Sequence, residues 1–194
     1  GRITALGDLS AAEAATRIDA AGHVVAPGFI DLLGQSEFNV LVDNRVASKI
    51  TQGITTEITG EGVSIAPVND QMLADRKPGY DAFKVVQDFR TLAEYFARIE
   101  KTRSAVNIGT FVGSGGLRDY VIGKADRPAT PDEIASMQAL VAQAMADGAL
   151  GVSSSLQYIP NRFASTDELV ALAKTAAAAG GIYITHQRSE GNKV

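Results

Sequence analysis

Five apolar runs punctuate this chain, and each stops at a glycine or a small polar cluster: VVAPGFIDLL, GITTEITGEG, AVNIGTFVGSGG, ALGVSSSLQYIP and GIYITHQRSEG. Helical segments lie between them. Runs that are apolar nearly throughout are what strands buried on both faces require. The alternation therefore predicts an α/β fold in which helices cover a parallel sheet. Two architectures satisfy it, an open doubly wound sheet and a (β/α)8 TIM-type barrel. No GxGxxG follows the first run, which argues against the dinucleotide-binding form of the open sheet. Five strands are too few to close an eight-stranded barrel, so either the sheet is open or the chain is one section of a barrel.

The helices carry their own punctuation. TPDEIASMQALVAQAMADG has Thr130 as N-cap, Pro131 at the first position, Glu133 completing a capping box and Gly148 as stop. STDELVALAKTAAAAGG takes Ser165 or Thr166 as cap and Gly180 as stop. FRTLAEYFARIEK places Leu92, Tyr95, Phe96 and Ile99 on one face, and VDNRVASKITQG reads as a helix ending at Gly53. The stretch VSIAPVNDQMLADRKPGYDAFKVVQDF reads as irregular. Before Pro27, RITAL and TRIDAAGHVV read as two short strands. Residues 1–25 are accordingly expected to belong to a small β-domain and residues 26–194 to the α/β unit. The opening GRITALGDL reads as mid-strand, as though residues precede it.

Composition excludes some chemistry. There is no cysteine, hence no disulfide and no thiolate ligand or nucleophile. A net charge of -4 offers no basic surface, so nucleic acid is not expected as a partner. No run of 18 apolar residues appears, so no membrane-spanning helix is expected, and neither is a signal peptide. The compartment stays open between cytoplasmic and exported. A small molecule is the expected partner.

In either architecture the functional site lies at the carboxyl ends of the strands. The candidates there are Asp31 to Glu37, Glu61, Ser114, Ser153 to Tyr158, and His186 to Glu190. His186 is either a hydrogen-bonded structural residue or a ligand, since imidazole is the commonest zinc ligand. Glu61 is either a solvated turn acid between glycines or a carboxylate ligand. One His and one Glu do not complete a zinc site. Ser153-Ser154-Ser155 lacks a G-x-S-x-G elbow and a partner histidine, so it reads as polar lining or capping. GSGGLR offers backbone N–H groups to an anion. Arg188 either pairs with Glu190 or forks onto a substrate carboxylate. His23 reads as structural.

Taken together, IDAAGHVVAPGFID, QGITTEITGEGVSIAP, VNIGTFVGSGGLR, MADGALGVSSSLQYIPNRFASTDELVALA and IYITHQRSEG resemble the D-aminoacylase (N-acyl-D-amino-acid deacylase) branch of the metal-dependent amidohydrolase superfamily. They run in family order over essentially the whole length. The resemblance implies a (β/α)8 barrel with a small β-sandwich built from the N-terminal strands and the distal end of the chain. It also implies zinc-assisted amide hydrolysis, in which metal-activated water attacks the acyl carbonyl and an aspartate serves as general base and acid. His186 falls on a metal-ligand histidine, and Glu61 falls where the branch carries a cysteine ligand. Tyr158 and Arg188 match positions that look like substrate contacts.

One departure stands out. Where most of the superfamily writes GFIDxHxH, with two metal-binding histidines, this chain has Leu33, Gly34 and Gln35. The expectation is a site with one zinc per chain, held by Glu61, His186 and ligands from later strands. Gln35 and Glu37 would then be substrate-binding or supporting groups. The family's sixth-strand histidine and general-base aspartate are expected beyond Val194, and the 194 residues are expected to need the remainder of their own barrel. The alternatives are a metal-free barrel that binds a small ligand without hydrolysing it, and a barrel hydrolase for cyclic amides.

Overall fold

The strands form where the apolar runs predict, and all of them are parallel. The computed structural model describes residues 2–191. In chain order the strands are β1 (Phe29–Asp31), β2 (Ile54–Thr59), β3 (Asn107–Thr110), β4 (Val112–Gly113), β5 (Gly151–Ser155) and β6 (Ile182–His186). They pair as β1-β2-β3 and as β4-β5-β6. Phe111 alone separates β3 from β4, and the pairing continues across it. Its N–H donates to Thr59 O at 3.0 Å, and Leu150 N–H donates to Thr110 O at 2.9 Å. The third apolar run is therefore one length of chain, lying between β2 and β5. Strand order follows sequence order throughout, without the reversal that a doubly wound sheet contains.

The helices are α1 (Asn39–Val42), α2 (Ala47–Ile50), α3 (Asp70–Ala82), α4 (Leu92–Thr102), α5 (Ser114–Val121), α6 (Pro131–Ala146) and α7 (Thr166–Ala178). Thr130 and Glu133 form the expected capping box on α6, and Ser165 accepts from Glu168 N–H at the start of α7. Thr91 and Glu94 form a second box on α4, which buries Leu92, Tyr95 and Ile99. One core joins these helices to the sheet. Leu92, Tyr95, Val112, Leu117, Met137, Val141, Val152 and Leu172 within it are almost wholly removed from water.

Four expectations need correction. The irregular stretch contains α3: Asn69 caps it through Met72 N–H, and burial of Met72 and Tyr80 holds it despite Pro78 inside it. The glycine-rich GSGG does not stay a loop but opens α5, where Ser114 to Arg118 are all buried. VDNRVASKITQG forms only the single turn α2, because the chain bends at Val46, whose φ of 42° lies outside the helical range. RITAL and TRIDAAGHVV form no strand. A strand needs a neighbour for its N–H and C=O groups, and no described residue supplies one. Ile3, Leu6, Ile18, Val24 and Val25 are exposed there.

The exposed edge strands are also apolar. Phe29 and Ile30 in β1, with Leu32 and Leu33 after it, and Ile182 and Tyr183 in β6, all face solvent. No helix among the described residues is long and apolar enough to cross a membrane.

Candidate metal centre

Glu61 sits at the tip of the turn after β2, and its position is built by three other elements. Gly60 and Gly62 flank it with φ of 88° and 67°, values that glycine adopts without strain. The buried Ser153 hydroxyl donates to Gly60 O and accepts from Gly62 N–H at 3.0 Å, so β5 clips both ends of the turn. Gly62 O accepts Gly115 N–H at 2.8 Å and the Asn161 amide at 3.2 Å. Asn161 is held in turn by Ser114 Oγ, which donates to its Oδ1 at 2.6 Å. The backbone of Gly62 passes so near Gly113 that a Cβ there would lie 2.5 Å from it. The backbone that carries Glu61 is thus held at both ends of the turn.

His186 ends β6. Its Nδ1 lies 3.4 Å from Glu61 Oε1, and both side chains are about one-fifth exposed. The edge of a tetrahedron built on zinc–nitrogen and zinc–oxygen bonds of about 2.0–2.1 Å is about 3.3–3.4 Å, so the separation fits two donors of one such ion. Glu61 makes no other side-chain hydrogen bond or ion pair among the described residues, which leaves it available as a ligand. Among those residues no third His, Asp or Glu joins the pair to complete a set.

Tyr158 meets His186 edge-on, ring centroids 5.6 Å apart. Beside them lies a cleft of about 600 Å³ lined by Leu156, Gln157, Arg162, Arg188, Ser189 and Glu190. Arg188 donates to Arg162 O at 2.8 Å and Ala164 O at 2.9 Å, tying β6 to the loop before α7. It does not pair with Glu190, which is bonded to His186 Nε2 at 3.0 Å instead.

Gln35 and Glu37 do not join this group. Gln35 is exposed. The Glu37 carboxyl lines a separate pocket of about 200 Å³ with Phe38, Ser64, Arg76 and Tyr80, and burial pushes it above the ordinary carboxylate range. LGQSE is anchored instead by Glu57, a residue that the alternating pattern of β2 conceals. Wholly buried, Glu57 accepts Ser36 N–H at 3.0 Å and lies 3.5 Å from Lys49 Nζ. Lys49 is bonded to Asp31 at 2.6 Å, which holds the Asp31 carboxyl below its usual range. A Cβ at Gly34 would lie 1.9 Å from Glu57 Cγ, so the missing side chain is what admits Glu57. His23 is exposed, far along the chain from the centre, with Nδ1 3.1 Å from Ala21 O.

No model of a known protein family matches the chain. Individual proteins do. The D-aminoacylase of Alcaligenes xylosoxydans xylosoxydans is 40% identical over 197 residues, covering 100% of this chain and 40% of that protein. Over its whole length the chain is similar to members of the D-aminoacylase branch of the amidohydrolases. From the same organism, an N-acyl-D-glutamate deacylase is 37% identical, covering 100% of this chain and 39% of the other. A D-aminoacylase structure described by its binuclear metal centre superimposes with a TM-score of 0.87 at 39% identity, over 98% of this chain and 40% of that one. The N-acyl-D-glutamate deacylase of Bordetella bronchiseptica, solved with zinc and a phosphonate mimic of the tetrahedral intermediate, gives 0.84 at 31% identity, over 99% and 40%. This chain therefore spans about 40% of the length of the relatives it matches.

Proposed function

We propose that this chain is part of a zinc-dependent amidohydrolase that cleaves the amide of a small N-acylated (D-)amino acid. The observation that carries the reading is the 3.4 Å approach of Glu61 and His186, two donors brought together from different strand ends. Relatives named as D-aminoacylase and N-acyl-D-amino-acid deacylases support the substrate class. The uninterrupted strand order supports a (β/α)8 barrel, with β1 to β6 as its first five staves and the remaining ligands on later ones. Apolar β1 and β6 faces would be covered by those later strands, and residues 1–25 would join a small β-sandwich.

Bound at this pair, one zinc per chain would supply an activated water and a Lewis acid for the acyl carbonyl. The protein groups divide the rest. Glu61 and His186 hold the ion. Arg188, with two N–H groups committed to backbone carbonyls, keeps its guanidinium rigid at the cleft, where a remaining N–H can meet the substrate carboxylate. Tyr158 packs edge-on against the histidine ring, with its exposed face open to substrate.

The test is hydrolysis of a panel of N-acetyl-D- and N-acetyl-L-amino acids by the whole protein, before and after chelation. Activity on D-substrates that disappears on chelation and returns with zinc is the expected result. Hydrolysis by protein verified to be metal-free would overturn the reading, and so would inertness of the zinc-loaded protein toward every member of the panel.

A further inference from the structure

We propose that Glu190 is the positioning residue of the metal centre. Its carboxylate accepts a hydrogen bond from His186 Nε2–H, fixes the ring in one tautomer, and so presents the Nδ1 lone pair toward Glu61.

The imidazole lies between two carboxylates on opposite ring nitrogens. Nε2 is 3.0 Å from Glu190 Oε1, and Nδ1 is 3.4 Å from Glu61 Oε1. A carboxylate can only accept, and neutral imidazole has one N–H to give. The 3.0 Å contact lies within the range of an N–H···O bond, whereas 3.4 Å lies beyond its upper end. In the neutral ring these distances assign the N–H to Nε2 and leave Nδ1 facing an acid at the spacing of two ligands of one ion. A ligand imidazole whose other nitrogen is held by a carboxylate is oriented in its ring plane and made more basic. The edge-on Tyr158 ring, 5.6 Å away, limits rotation of the same imidazole from the side. The glutamate is placed for this by geometry alone. Arg188 between the two residues is pinned to Arg162 O and Ala164 O, which fixes the bend that returns Glu190 to His186. Glu190 is itself largely exposed, so no packing demand accounts for its position.

The inference rests on the zinc reading for its purpose but not for its first test. In the whole protein, stripped of metal, 15N NMR of histidine-labelled material reports the tautomer of His186, assigned by its absence from His186→Ala. The wild type is expected to show the Nε2–H form. Glu190→Gln, whose amide oxygen still accepts, is expected to keep that form and to bind zinc within a few-fold of wild type. Glu190→Ala is expected to lose the preference and to bind zinc about 10–100-fold more weakly in chelator competition. An Nδ1–H form in the wild type, or an unchanged tautomer in Glu190→Ala, would overturn the proposal. So would a changed tautomer with unchanged zinc affinity. If the tautomer responds as stated but the wild type takes up no zinc, the positioning role stands and the zinc reading fails.

Discussion

Replacing Arg118 with alanine is expected to destabilise the protein by about 3–5 kcal/mol, because it strands a buried carboxylate. Arg118 Nη1 lies 2.6 Å from Glu168 Oε2, and both side chains are wholly removed from water. The same guanidinium also bonds to Arg127 O, so it ties α5 to α7 and to the segment entering α6. Burial already pushes the Glu168 carboxyl above its ordinary range, with Arg118 working against that shift. Without Arg118 only a weaker backbone hydrogen bond from Ser165 opposes the upward push. A folded-state pKa above the unfolded value means that the folded protein binds the extra proton, so the deficit shrinks as the pH is lowered from neutral. The double change Arg118→Met with Glu168→Leu removes both charges and is expected to recover most of the loss. Urea unfolding of the whole protein and its variants at two pH values measures all three effects. A single variant as stable as the wild type at neutral pH would show that the pair does not carry this burden.

Gly62→Ala is expected to cost about 2–5 kcal/mol and to empty the proposed metal centre without replacing either proposed ligand. Its φ of 67° penalises any side chain by about 1–3 kcal/mol, and the new Cβ would lie 2.4 Å from Ser155 Cβ, adding an overpacking cost of similar size. Relief requires the turn to move off β5, and Glu61 moves with it. Gly123→Ala is the control. It has a similar φ of 73° but open space around the added atom, so it should show only the conformational part and keep its zinc. Thermal unfolding and metal content read the two consequences separately. Zinc retained at full stoichiometry in Gly62→Ala would mean that the turn does not place Glu61.

These two sites also show what was legible in the amino acids. The strand ends were, because buried parallel strands must be apolar and their ends must turn. Thr130 and Ser165 marked their helices for the same local reason: a cap oxygen satisfies an N–H within three residues. Helix α3 was not legible. Pro78 and Gly79 argue against it locally, and only the burial of Met72 and Tyr80 decides the matter. Glu61 and His186 were visible as polar residues at strand ends, yet nothing local says that two such ends 125 positions apart meet. The surroundings of Glu37 and the partners of Glu57 and Arg188 were hidden for that reason too. Arg76, Lys49 and the carbonyls of Arg162 and Ala164 are tertiary neighbours, and a charged residue looks the same in sequence whether it faces substrate or backbone.

The most direct measurement of the central claim is zinc content by elemental analysis of the whole protein, beside Glu61→Ala and His186→Ala. About one zinc per chain in the wild type, lost in both variants while their unfolding transitions persist, is the result this account predicts. A wild type that takes up no zinc under zinc-replete conditions, or variants that keep it, would contradict the claim that these two side chains form one metal centre.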